Sequence, residues 1–291
     1  MDQIYQNSRI GHENQLVYLN TERLIGVQSI DVSNNFALSQ LTYAGMGGKR
    51  PFHINNGEQS STINLSTFLI NEDYFWGLTT GNESSNVYIL RENTDRPTCY
   101  SALSGYFTNF SCSYSIGNVP EISTTFISLV NAGPIPSTET PVAVNGELLT
   151  IGLSSPDITG SLRIPYGNSI SLGISEFSTN RVQSFNINVA SNKTPVYNVG
   201  SKIPSRIEHQ SSQITCNVSF VVADYTAQKL RGSGTHFVRN VNLIAGDYAD
   251  TGNIVATYSI DNMTLVNENY SAQVNGDVVV SQSYFKKIFP I

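Results

Sequence analysis

A mainly β fold, built from two tandem copies of one small β-barrel or sandwich domain with a short helix flanking each, is what this sequence predicts. Three observations predict it. Short motifs recur in the same order in the two halves of the chain, apolar and polar residues alternate in short runs, and turn residues separate the two runs that close each half.

The repeat comes first because it fixes the units. Val27-Gln28-Ser29 reappears as Val182-Gln183-Ser184, 155 residues later (182 − 27). Gln59-Ser60-Ser61 answers Gln210-Ser211-Ser212. Thr62-Ile63-Asn64-Leu65-Ser66 answers Thr215-Cys216-Asn217-Val218-Ser219. Asp73-Tyr74 answers Asp224-Tyr225, and Asn109-Phe110-Ser111 answers Asn262-Met263-Thr264. The matches are collinear, and the drift in offset is what loop insertions and deletions produce. Asn131 to Pro141 carries three prolines with polar spacers, the composition of a linker. The expected organisation is a first domain at 1–132, a Pro-rich linker at 133–141 and a second domain at 142–291.

Within each unit, Ile30, Val32 and Leu38 alternate with polar residues, as do Ile63-x-Leu65, Ile187-x-Val189 and Val218-x-Phe220. A period of two places such residues on one face of a half-buried strand. The closing runs are Phe110 to Ile116 with Ile122 to Phe126, and Tyr270 to Val274 with Val278 to Val280. Asn275-Gly276-Asp277 lies between the second pair, and Asn-Gly accepts the positive φ of a tight hairpin. Gly117-Asn118-Val119-Pro120 holds the same place in the first. One helix per unit is expected, over Asn71 to Leu78 and over Ala223 to Leu230, each opening with capping or acidic residues.

Composition narrows the function classes. Charged residues make up 13% of 291 and the net charge is −6. Asn, Ser and Thr fill the gap, which suits a surface buried against neighbours, since neutral side chains cost less to desolvate than ions. No basic run exists for gripping nucleic acid. No stretch reaches the ~20 apolar residues of a membrane helix, and the first residues lack the pattern of a secretion signal. Cys99, Cys112 and Cys216 form neither a disulfide framework nor a zinc pattern, which fits synthesis in a reducing cytoplasm. His12, His53, His209 and His236 lack metal-ligand spacing. Gly45-Met46-Gly47-Gly48-Lys49 has the wrong spacing for a phosphate loop. No nucleophile elbow or paired carboxylates stand out. The expectation is a non-enzymatic protein without cofactor, metal or membrane partner.

The segment from Val17 to Val32, with Gly26-Val27-Gln28-Ser29, resembles the opening of tailed-bacteriophage tail tube proteins. The Gln-Ser-Ser and Thr-x-Asn-Leu-Ser strand, the short helix and the closing hairpin are similar to that family in order. The likeness covers both halves. It departs at Asn20-Thr21, where an Asn-Gly turn is expected, and at Arg181, which stands where Gly26 does. The resemblance implies a tail-tube-like fold with the tube domain duplicated. It also implies a homotrimer that forms a pseudo-hexameric ring, rings that stack into a tube, and a lumen, neutral or negative, that conducts DNA without binding it specifically. Other tail proteins would be partners, and the location would be the virion tail after synthesis in the host cytoplasm. The inter-ring loop candidates it implies are Tyr43, Gly45, Met46, Gly47, Gly48, Lys49 and Arg50, with Tyr197, Gly200 and Lys202 as counterparts.

Two alternatives follow from the same residues. One is another virion part with the tube fold, such as a tail terminator, distal-tail or baseplate hub protein. The other is a β-sandwich carbohydrate- or receptor-binding module, for which Trp76, 15 Tyr and 13 Phe are raw material.

Overall fold

A computed structural model describes residues 15–20, 22–35, 39–45, 48–54, 60–91, 98–128, 133–135, 162–175, 177–199, 205–222, 238–250, 252–272 and 277–289. The protein is mainly β, with one short α-helix and one 3-10 turn (Gly167–Ser169) among these residues. The first half supplies β1 (Gln15–Leu19), β2 (Glu22–Arg23), β3 (Val27–Asn35), β4 (Ser39–Gly45), β5 (Gly48–Ile54), β6 (Ser60–Phe68), α1 (Trp76–Thr80), β7 (Ser85–Arg91), β8 (Thr98–Ser115) and β9 (Glu121–Ser128). The short β10 (Gly133–Ile135) follows. The second half supplies β11 (Ile170–Ile174), β12 (Phe177–Thr179), β13 (Val182–Val196), β14 (Arg206–Val222), β15 (Val238–Gly246), β16 (Ile254–Ala272) and β17 (Val278–Ile288).

Strand formation follows the alternation. On β6, Ser61, Ile63, Leu65 and Thr67 are buried while Thr62, Asn64 and Ser66 are not. On β9, Ile122, Thr124 and Phe126 point in and Glu121 and Ser123 point out. Burying each large apolar side chain stabilises by about 1.5–3 kcal/mol, so a one-residue slip that turned these faces over would forfeit the core.

Fifteen strands join in one antiparallel sheet, and β4 and β5 pair separately. The first half runs β3-β6-β9-β8-β7-β1-β2. The second runs β13-β14-β17-β16-β15-β11-β12. Position for position, the two orders are the same. The irregularities coincide as well. A bulge between Val27 and Ser29 has its counterpart between Val182 and Ser184. The bulge at Ser85/Val87 answers Arg239/Val241, and that at Phe107/Asn109 answers Leu265/Asn267.

One local device recurs at the second of these bulges. The Asn86 carbonyl accepts from the Asn20 N–H at 2.8 Å, and its side-chain Oδ1 accepts from the Ser104 N–H at 2.8 Å. In the second half the Asn240 carbonyl accepts from the Ser175 N–H at 2.9 Å, and its Oδ1 from the Asn262 N–H at 2.9 Å. The residues so held share positive φ: 55° at Asn20 and 51° at Ser175, 53° at Ser104 and 55° at Asn262. The side-chain amide thus meets a backbone N–H that the left-handed turn removes from the ladder.

Strand β8 joins the halves. Its first part pairs with β7, and its last part, Asn109 to Ser115, pairs on that same side with β13 from Ala190 to Ser184. One apolar core runs under both halves, from Val17 and Phe110 to Phe220 and Tyr284.

Several sequence expectations change. The expected helix over Asn71 to Leu78 begins only at Trp76, because the Asp73 carboxylate accepts the Phe75 and Trp76 N–H groups at 2.8 and 3.2 Å and holds residues 73–75 in a turn. The start of the expected linker, Gly133–Ile135, is a strand on β8 opposite Ser101 to Cys99, and residues 136–141 lie outside the described residues. The ladders keep Thr62 to Ser66 in step with Thr215 to Ser219, but Ser60-Ser61 falls two positions out of step with Ser211-Ser212, and Gln59 lies outside the described residues. Asn109 corresponds to Asn267, not Asn262. The second expected helix and Asn275-Gly276 lie outside the described residues, while β16 and β17 meet as a hairpin with Ala272 opposite Val278.

Candidate functional site

The side chains that cross between the halves form the most elaborated site. Tyr258 on β16 donates its hydroxyl to the Asp73 carboxylate at 2.7 Å and lies 3.5 Å from the Cys112 sulfur on β8. Trp76 sets its ring edge-on to Phe110 at 5.5 Å and to Tyr258 at 5.3 Å. Tyr114 stacks on Phe185 at 5.5 Å. Lys193 on β13 donates its ammonium to the Leu78 carbonyl in α1 at 3.1 Å. Asn71 and Arg163 exchange hydrogen bonds at 2.9 Å in each direction.

Burial controls the ionisation of this cluster. It pushes the Asp73 carboxyl up from the usual carboxylate range, against the opposing hydrogen bonds from Phe75, Tyr258 and Trp76. It raises Cys112 and Tyr258 as well, so the thiol stays protonated and is a poor nucleophile. Desolvation lowers Lys193 to about 8. These are the marks of a packed junction, with Cys112 and Tyr258 buried in the core.

A second polar cluster sits on the β13–β14 hairpin. His209 Nε2 lies 3.1 Å from Ser191 Oγ and 2.7 Å from Ser212 Oγ. Burial, then the Lys193 charge, lowers the His209 pKa. These are the atoms of a serine–histidine pair, but Ser191 and Ser212 are 6% and 1% exposed, which closes both hydroxyls to a substrate. Among the described residues, no group of three His, Cys, Asp or Glu could hold a metal ion. Trp76 is half-buried and packs its ring against Phe110 and Tyr258 at the margin of the core.

The face opposite the core is polar and nearly uncharged. One row across it reads Glu121, Ser113, Asn186, Asn217, Ser283 and Asn267. A shallow concavity of about 880 Å³ opens over part of this row. Ser and Asn side chains line it together with Tyr114, Phe185 and Val218.

Several stretches of strand edge carry no partner strand among the described residues, β3 and the end of β16 among them. Strand β3 pairs only with β6 on one side. Strand β16 from Asn267 to Ala272 pairs only with β17, because β15 stops opposite Thr264. Sequence reasoning did not find these edges, since pairing partners are set by the tertiary fold.

The loop candidates fall on two hairpin excursions. Tyr43 faces Arg50, Ala44 faces Lys49 and Gly45 faces Gly48 on β4 and β5, between β3 and β6 in the chain. Met46 and Gly47 lie outside the described residues. Tyr197 follows the end of β13 and is half-buried, while Gly200 and Lys202 lie outside the described residues. No family model matches the chain, and no curated protein matches it.

Proposed function

We propose that this chain is a self-assembling structural protein of a phage tail, with two copies of one tube-type domain. Three chains close into a pseudo-sixfold ring, and rings stack into a tube through which DNA passes. The observation that supports this reading best is the seam between β8 and β13. Two halves with one strand order and matching bulges are already joined edge to edge inside the chain. A unit that joins its neighbour this way once has the geometry to do so again, and a closed ring removes the exposed edges that invite aggregation.

The polar face supports the conducting role. A wall of Ser, Asn and Thr lacks the Lys and Arg that grip phosphates, so it gives a duplex little to hold. The β4–β5 hairpin and the Tyr197 end of β13 are the candidates for contact between rings. In this reading the protein resides in the virion tail and needs neither cofactor nor catalysis.

Negative-stain microscopy of the purified protein tests the reading. Rings with six similar lobes, or tubes made of them, are expected. Removing residues 44–50 should leave rings and abolish tubes. A monodisperse monomer at high concentration would overturn the assembly reading, and normal tubes from the deletion would overturn the stacking role.

A further inference from the structure

Resting on that reading, we infer that β3 of one copy pairs with β16 of the next in a fixed antiparallel register. The partner of the open β3 edge is therefore a second copy of this chain. The register comes from the seam inside the molecule. There Phe185, Ile187 and Val189 face Tyr114, Cys112 and Phe110, while Asn186 and Asn188 face Ser113 and Ser111. The shared bulges make Val182 the counterpart of Val27, and Asn267 the counterpart of Asn109. Carrying β13 onto β3 and β8 onto β16 sets Ile30 opposite Ala272, Val32 opposite Tyr270 and Asn34 opposite Glu268 on the core side. On the polar side it sets Asp31 opposite Ser271 and Ser33 opposite Asn269.

The chemistry of the two edges fits this pairing. Ile30, Val32 and Tyr270 are only half-buried in the single chain, unlike Phe185, Ile187 and Cys112 at the inner seam. Asp31 and Glu268 are the charged residues of the paired stretch, and they fall on opposite faces, so like charges do not meet. Neither stretch carries the proline or lysine that natural edges use to repel a second strand. The other open edges differ: β2 and β12 have two and three residues, too short to template a partner, and the tip of the β13–β14 hairpin carries Lys193 and Pro195 on one edge and Arg206 and Glu208 on the other. Each copy offers one β3 edge and one β16 edge, so the contact is head-to-tail and closes only as a ring.

Disulfide trapping tests the register. Ser33→Cys and Asn269→Cys are made in separate chains carrying Cys99→Ser, then mixed by refolding together and oxidised. A covalent dimer should form in the mixture and in neither chain alone. Mixing Ser33→Cys with Ser271→Cys, two residues out of step, should give several-fold less dimer. If unmodified protein forms rings but the in-register mixture gives no more dimer than the shifted one, this pairing is overturned while the ring reading stands. If the unmodified protein remains a monomer in light scattering, the ring reading fails and the pairing fails with it.

Discussion

Strands β3 and β13 occupy the same place in their halves, start with the same Val-Gln-Ser triplet and bulge at the same residue. They differ in what lies alongside. Strand β13 is covered on one side by β14 and on the other by β8, and its Phe185, Ile187 and Val189 are buried. Strand β3 is covered only by β6, and Ile30 and Val32 remain half-buried. The same contrast separates the end of β8, which is covered, from the end of β16, which is not. One pattern of residues therefore serves as an interior strand in one half and as an open edge in the other. Nothing local in β3 marks it as an edge; its position at the end of the pairing order does.

Proline substitution breaks the comparison most sharply. Ile187→Pro puts proline into a strand with partners on both sides, where it removes a ladder hydrogen bond and is excluded from natural sheets. Urea denaturation should show most of the stability gone. Val32→Pro is the matching change on β3. It should leave a folded monomer by circular dichroism and abolish larger assemblies in sedimentation. Equal unfolding by both variants would show that β3 is as interior as β13.

A second contrast lies under β8. A Cβ added to Gly105 would sit 2.2 Å from the Phe126 ring and 2.5 Å from the Ile127 carbonyl oxygen. The corresponding position on β16 is Met263, fully buried, with Tyr284 where Phe126 stands. The halves differ at this place, with a glycine tight under Phe126 in one and a buried methionine in the other. Gly105→Ala should cost about 3 kcal/mol, since the backbone oxygen cannot rotate away, whereas Met263→Leu should cost about 1 kcal/mol as a near volume-conserving change. Thermal denaturation of both variants checks this, and a Gly105→Ala melting point equal to the parent's would refute the packing account.

Much of this symmetry was legible in the residues. Val27-Gln28-Ser29 and Thr62 to Ser66 matched their partners in true register because apolar side chains anchor both. The Asn109 match failed by five residues (267 − 262) because strands rich in Ser and Asn resemble one another at many alignments, while the hydrogen-bond ladder allows only one. The asparagine at each bulge was hidden, since one Asn in a strand reads as an ordinary polar residue. Its trace was the pair Asn86-Val87 and Asn240-Val241. The seam between β8 and β13 left no trace, because strand pairing across a long stretch of chain depends on the whole sheet. The loop candidates rested on resemblance to a family, and only part of those hairpins lies among the described residues.

The smallest contrast is between two tyrosines. Tyr258 and Tyr100 stand at corresponding places on β16 and β8, by the matching ladders to β15 and β7. Tyr258 is buried and holds Asp73 across the junction between the halves, whereas the Tyr100 hydroxyl accepts from Asn34 Nδ2 at 3.3 Å at the exposed end of β3. Tyr258→Phe removes a donor from a buried carboxyl and should cost about 1–3 kcal/mol, whereas Tyr100→Phe should cost about 0.5 kcal/mol or less, as surface changes do. The loss also carries a sign in pH. Burial raises the Asp73 pKa in the folded state, so the native protein holds more protons than the unfolded one just above the ordinary value of 3.8. Stability from this group is therefore greatest at low pH and declines as pH rises through the raised value. The Tyr258 hydroxyl opposes that rise. Without it the carboxyl moves up further and the decline runs on to higher pH, so the penalty of Tyr258→Phe should be larger at pH 7 than at pH 4. Urea titrations at the two pH values measure the difference, and a penalty independent of pH would mean that the Tyr258 hydroxyl acts through Cys112 and not through the Asp73 carboxylate.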